Sequence, residues 1–182
     1  MVEVQINTQA TSILLQMPWF SQLKQTGEDS KACAQACLLM LLHYHQSISS
    51  NDPLRVEDLF ALKPAWLTAR EVVSLAAKSF NLSLMPFVAV NVLSLRQYLL
   101  SDRPVMLLVN YSLLDFECHL PYGEDMRTHW LLVVGYHDDD FVLHDPLWLP
   151  LQQRGRGGAY RKVHYSTLQA ALARHQQPNA IY

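Results

Sequence analysis

Long apolar runs are missing from this 182-residue chain, and no stretch approaches the ~18 residues a membrane span requires. The early apolar run Ile13 to Leu15 is too short for the core of a secretory leader, and Glu3 stands near the start with no Lys or Arg beside it. These absences predict a soluble chain without a cleaved leader. A cationic surplus is also lacking: 14 Lys plus Arg face 16 Asp plus Glu, a formal charge of −2. Neutralising phosphates needs clustered cations in excess, so a nucleic-acid partner is excluded. The one basic cluster, RGRGGAYRK at 154–162, holds three Gly and reads as a mobile surface loop. Cysteine is scarce at three, an odd count without disulfide-scaffold spacing, which points to a reducing cytoplasm. Repeats and low-complexity tracts are absent.

What is present describes an ordinary globular chain: 50% hydrophobic, 16% charged and 10% aromatic. At this length a compact domain buries roughly 70% of its unfolded surface, so neither metal nor disulfide is needed for stability. One domain over 1–182 is expected, with a helical lobe at about 16–100 and a sheet lobe at about 103–182. Polar interruptions fall at Gln22 to Lys31, Ser47 to Val56 and Phe116 to Thr128.

Ala32 to His45 carries good helix formers without Gly or Pro and is apolar on nearly every face, which predicts a buried helix with Ser30 as its N-cap. Thr68 to Phe80 predicts an amphipathic helix capped by Thr68, and Leu93 to Leu100 and Tyr165 to Arg174 predict two more. The short apolar runs Val105 to Val109, Trp130 to Val134 and Phe141 to Leu143 read as buried strands. The segment HDDD at 137–140 turns the last two into a hairpin over Trp130 to Asp145. A helical N-terminal half followed by a mostly antiparallel sheet is the α+β class, with a cleft expected where the lobes meet.

Cys33 stands where the first helix begins. There the unpaired N–H groups and the positive dipole end favour a thiolate and would also face a developing oxyanion. Cys37, one turn further in, reads as core, and Cys118, between Glu117 and His119, has no activating neighbour. With the hairpin turn centred near Asp138, paired residue numbers sum to about 276, which sets Asp145 opposite Leu131 and diagonal to His129. On that register the Cα atoms of His129 and Asp145 lie within roughly 8 Å, close enough for a carboxylate to orient an imidazole. A slip of one residue would separate them.

The remaining candidates have plainer uses. Cys33, Cys37, His43 and His45 cannot converge on a metal from one helix, since at 100° per residue they point apart. Asp138, Asp139 and Asp140 read as turn residues facing water, so no metal is assigned. Trp19, Trp66, Trp130 and Trp148 read as core or cleft lining, with Trp130 placed to wall the site. Glu124, Asp125 and Arg127 lie in the loop before His129.

The stretches MPWFSQ (17–22), CAQACLLMLL (33–42), HWLLVVGY (129–136) and LHDP (143–146) together resemble the bacteriocin-processing, double-glycine-leader type of cysteine peptidase in the papain superfamily. The resemblance spans about 16–175. It implies a papain-like fold, Cys33 as nucleophile, His129 as general base and later acid, Asp145 as its orienting partner and Gln22 as oxyanion donor, with Gln25 as a rival for that last role. The family usually follows its Cys with Gly-Pro, where Ala34 and Gln35 stand here. The implied activity is amide or peptide hydrolysis, with acyl transfer equally compatible, no cofactor, and a peptide or amide-bearing small substrate. Two other readings stay open: a catalytically silent peptide-binding domain of the same fold, and a redox-sensitive thiol protein using Cys33 and Cys37.

Overall fold

A computed structural model describes residues 12–22, 31–48, 54–64, 66–89, 91–114, 128–147, 158–172 and 178–182. Among them are five α-helices and a seven-stranded, antiparallel sheet, an α+β arrangement with helices against the sheet. In chain order the elements are β1 (Ser12–Leu14), α1 (Cys33–Tyr44), α2 (Val56–Leu62), α3 (Ala69–Phe80), β2 (Pro86–Phe87), α4 (Leu95–Leu100), β3 (Val105–Val109), β4 (His129–His137), β5 (Asp140–His144), β6 (Arg161–His164), α5 (Tyr165–Ala171) and β7 (Ala180–Ile181). The strands run β2-β7-β3-β4-β5-β6, and β1 pairs with the far end of β4 beyond the reach of β3.

Both faces of the sheet are covered, which is why β4 is buried from His129 to Tyr136 rather than alternating. On one face Trp130, Leu132, Val134 and Val142 meet α1, α2 and α3. On the other Leu131, Val133, Leu143, Val105 and Leu107 meet Leu95 and Leu99 of α4 and Leu168 and Ala171 of α5. Helix α1 is enclosed all round, with ten consecutive residues from Cys33 to Leu42 buried. Each fully buried Leu there contributes about 1.5–3 kcal/mol, so α1 is an anchor from which its first residue is presented.

Helix α3 starts as its sequence predicts: Thr68 Oγ1 accepts from the Glu71 N–H, and the Glu71 carboxylate accepts from the Thr68 N–H, a reciprocal capping box. Helix α1 is different. Its N-cap position is Ala32, which supplies no side-chain hydrogen bond, and Ser30 lies outside the described residues.

Other expectations need correction. Leu93 to Leu100 is not one helix but a 3₁₀ turn at Val92–Ser94 leading into α4. Helix α2 follows the Ser47 to Val56 interruption and was not anticipated, its length being only seven residues. The sheet is not confined to the C-terminal half, because β1 and β2 join it from the N-terminal half. Nor is the basic cluster all loop: Arg161 and Lys162 pair with Leu143 and Val142 of β5. Residues 154–157 lie outside the described part.

The hairpin register carries the most consequence. Near the turn the pairs are His137↔Asp140, Tyr136↔Phe141 and Gly135↔Val142, whose numbers sum to 277, one more than expected. Beyond Val134 they are Val133↔Leu143 and Leu132↔His144, which sum to 276. A β-bulge between Val133 and Gly135 makes the change, since two residues of β4 there oppose one of β5. Gly135 suits the place because β1 crosses against it: a Cβ would lie 2.3 Å from the Ile13 carbonyl oxygen. The bulge moves Asp145 onto the face of β4 that carries Leu131 and His129. Without it, the two would sit on opposite faces.

Candidate active site

Three buried polar side chains meet at one end of the sheet. Cys33 is the first residue of α1, His129 the first of β4, and Asp145 the first residue after β5. Their exposures are 2%, 1% and 0%. His129 Nε2 and Asp145 Oδ1 are 3.0 Å apart, and Cys33 lies near enough to the same imidazole to help raise its pKa. With Nε2 committed to the carboxylate, Nδ1 is the ring nitrogen left for the sulfur.

Asp145 is held at every polar atom. Its Oδ1 accepts from the Leu147 N–H at 2.9 Å as well as facing His129, and its Oδ2 accepts from the Tyr111 hydroxyl at 2.7 Å. Its backbone N–H donates to the Gly158 carbonyl at 2.8 Å, and its own carbonyl accepts from the Trp19 indole N–H at 2.8 Å. Trp19 belongs to a short segment laced along the strand end: the Ser21 hydroxyl and the Gln22 N–H both donate to the Pro146 carbonyl, at 3.3 and 2.8 Å. Gln22 is thereby packed beside Pro146, 3% exposed.

The electrostatics follow from this enclosure. Burial by itself disfavours the imidazolium, but the hydrogen bonds from His129 to Asp145 and Cys33, and the charges of those partners, outweigh it and raise His129 from 6.5 to about 10. Burial would raise Asp145, yet its bonds to His129, Leu147 and Tyr111 hold it below the usual carboxylate range. The pair is therefore ionised at neutral pH in a setting of low dielectric, where a charged imidazole stabilises a negative neighbour strongly. Cys37 contrasts with Cys33. It is fully buried, its Sγ lies 3.5 Å from the Trp130 carbonyl oxygen, and burial followed by repulsion from Cys33 and Asp145 pushes its thiol well up.

Among the other sequence candidates, Trp130 turns to the α1 face and donates to the Leu67 carbonyl at 2.9 Å. His43 stacks on Phe20, and exposed His137 pairs with Asp138 at the turn. Trp66 is half exposed. Among the described residues no cluster of His, Cys, Asp or Glu is arranged to hold a metal. Gln25, Cys118, Glu124, Asp125, Arg127 and Trp148 lie outside the described residues.

Tyr111 escaped sequence reasoning, as did the parts played by Trp19 and Gly158. A signal for Tyr111 existed. Val109, the last residue of β3, pairs with His129, so two residues beyond it the chain must pass the imidazole. Pairing the strand 105–109 with the hairpin would have found it. For Trp19, 126 residues before Asp145, and Gly158, 13 residues after it, no local pattern existed.

No family model matches the chain, and no curated protein does. Solved structures do resemble it. A protein from Bacillus anthracis assigned as a C39-like peptidase superposes with a TM-score of 0.62 at 15% identity, covering 93% of this chain and 96% of that one. A double-glycine-motif protease from an AMS/PCAT transporter, in complex with its leader peptide, gives 0.56 at 11% identity over 92% and 90%. The peptidase domain of Streptococcus ComA, a bifunctional ABC transporter of a quorum-sensing pathway, gives 0.54 at 16% identity over 88% and 94%. The fold is thus that of C39-like, papain-type peptidases across nearly the whole chain.

Proposed function

We propose that the chain is a C39-like cysteine hydrolase, acting as one peptidase-like domain through Cys33, His129 and Asp145 on a peptide or amide substrate. The observation that carries this reading is the buried His129–Asp145 pair at 3.0 Å, with buried Cys33 acting on the same imidazole. The sulfur of Cys33 attacks the carbonyl carbon, His129 gives its proton to the departing amine, and the acyl group remains on sulfur. Water, deprotonated by His129, then releases the acid; an amine in its place would complete an acyl transfer. The oxyanion is met by the Cys33 N–H, free of intrahelical partners at the first position of α1, and by the Gln22 side chain. The leader peptide seated in one structural neighbour supports a peptide as the substrate class. A reducing compartment such as the cytoplasm suits two free buried thiols, Cys33 and Cys37.

One observation favours the second reading, a silent peptide-binding domain. Cys33 is only 2% exposed, and Ala34 and Gln35 behind it, where the family usually has Gly-Pro, are packed to 1% and 0%. Alkylation separates the two. Native chain and His129→Ala are treated with iodoacetamide at pH 6.5 and mapped at Cys33 and Cys37. A hydrolase labels at Cys33 about tenfold or more faster than at Cys37, and loses that advantage without the imidazole. Equal, slow labelling of both thiols in both proteins establishes the silent domain instead.

A further inference from the structure

Resting on the cysteine-hydrolase reading, we propose that Tyr111 is a positioning residue of the site, locking Asp145 and His129 into the orientation in which the imidazole serves Cys33. Two contacts from one side chain support this. The Tyr111 hydroxyl donates to Asp145 Oδ2 at 2.7 Å, occupying the carboxylate oxygen that His129 does not use. The Tyr111 ring meets the His129 ring edge to face, with centroids 4.9 Å apart and planes at 73°. A carboxylate bonded at one oxygen alone can swing about its Cβ–Cγ bond. With Leu147 and His129 on Oδ1 and Tyr111 on Oδ2 that rotation is blocked.

Tyr111 can do this because its own place is fixed. It opens a 3₁₀ turn directly after β3 and is 7% exposed. Its neighbour Asn110 donates through its N–H to the Ala171 carbonyl at 2.6 Å, tying the turn to the end of α5. The aromatic edge against His129 also restricts the ring from tilting out of line with the carboxylate. The Tyr111 hydroxyl donates to the carboxylate, so the effect of that hydroxyl passes through Asp145.

The test uses Tyr111→Phe, which keeps the ring and removes only the hydroxyl, together with Asp145→Asn, the double variant and His129→Ala. Two readouts are taken: the pH profile of Cys33 alkylation by iodoacetamide, and the titration of the His129 ring by ¹⁵N NMR. Thermal melts show that each variant is folded. Expected for Tyr111→Phe is a fall in the alkylation rate at pH 6.5 of about tenfold, the size of one hydrogen bond to a charged group, with the His129 titration moving toward the ordinary histidine range. The double variant is expected to fall no further than Asp145→Asn alone, since a residue acting through the carboxylate has nothing left to act on. A Tyr111→Phe profile that overlays the native one, while His129→Ala lowers the rate, overturns the role of Tyr111 and leaves the hydrolase reading standing. Losses that multiply in the double variant overturn it too. Unchanged alkylation in His129→Ala removes the hydrolase reading and this one with it.

Discussion

Gly158→Ala is expected to damage the site from outside it. Asp145 donates its N–H to the Gly158 carbonyl, and the two backbones run so close that a Cβ on residue 158 would lie 1.9 Å from the Asp145 carbonyl oxygen. The same Cβ would lie 2.8 Å from Trp19 Nε1 and 2.9 Å from Trp19 Cζ2. The oxygen is backbone, and the indole is bound to it, so neither is a flexible tip that can step aside. Reaching an ordinary contact of ~3.4 Å requires a separation about 1.5 Å greater, which stretches the 2.8 Å bond between Asp145 and Gly158 beyond use. Overpacking of this kind costs about 1–3 kcal/mol, and each lost hydrogen bond about 1 more. A total near 3 kcal/mol lowers Tm by roughly 6–12 °C in a chain of this length. A misplacement of the order of 1 Å at Asp145 is also expected to slow Cys33 chemistry by about 10²-fold. Circular-dichroism melts and the iodoacetamide rate at Cys33 measure the two effects. A Tm within 2 °C of native together with a native rate would refute the steric reasoning and its claim that Gly158 shapes the Asp145 backbone.

Stability is expected to depend on pH through the same pair. His129 is raised in the fold, so its contribution is complete below 6.5 and lost as pH climbs toward about 10; Asp145 is lowered, so its contribution is present above 3.8 and lost as pH falls below that. Urea midpoints should therefore drop between pH 6 and 9.5 in the native chain, and drop less in His129→Gln/Asp145→Asn; parallel curves would contradict this. Thr68→Ala removes the cap of α3 and should cost about 1 kcal/mol without altering Cys33 alkylation, as denaturation and labelling together would show.

Much of this was legible without coordinates, and for local reasons. The buried helix at Ala32 to His45, the Thr68 cap with Glu71, and the short strands around 105–109 and 129–144 follow from apolar period, capping chemistry and turn residues, which act within a few positions. The resemblance carried by Cys33, His129, Asp145 and Gln22 likewise pointed to the C39-like fold that structural comparison shows. Short or edge elements were not legible: β1, β2 and β7 have two or three residues each, too few for a period to register.

The chain order alone determined which residues have the chemistry to act and roughly where the hairpin turns. Whether His129 and Asp145 share a face depended on a single extra residue at Val134, and that bulge arises where β1 presses its backbone against Gly135. The partners that hold Asp145 come from separate places: Tyr111 on its carboxylate, and Trp19 and Gly158 on its backbone. Local propensity reaches a few residues along the chain, whereas register and convergence are set by contacts that span from thirteen residues (Gly158 to Asp145) to 126 (Trp19 to Asp145), and only the folded sheet brings those together.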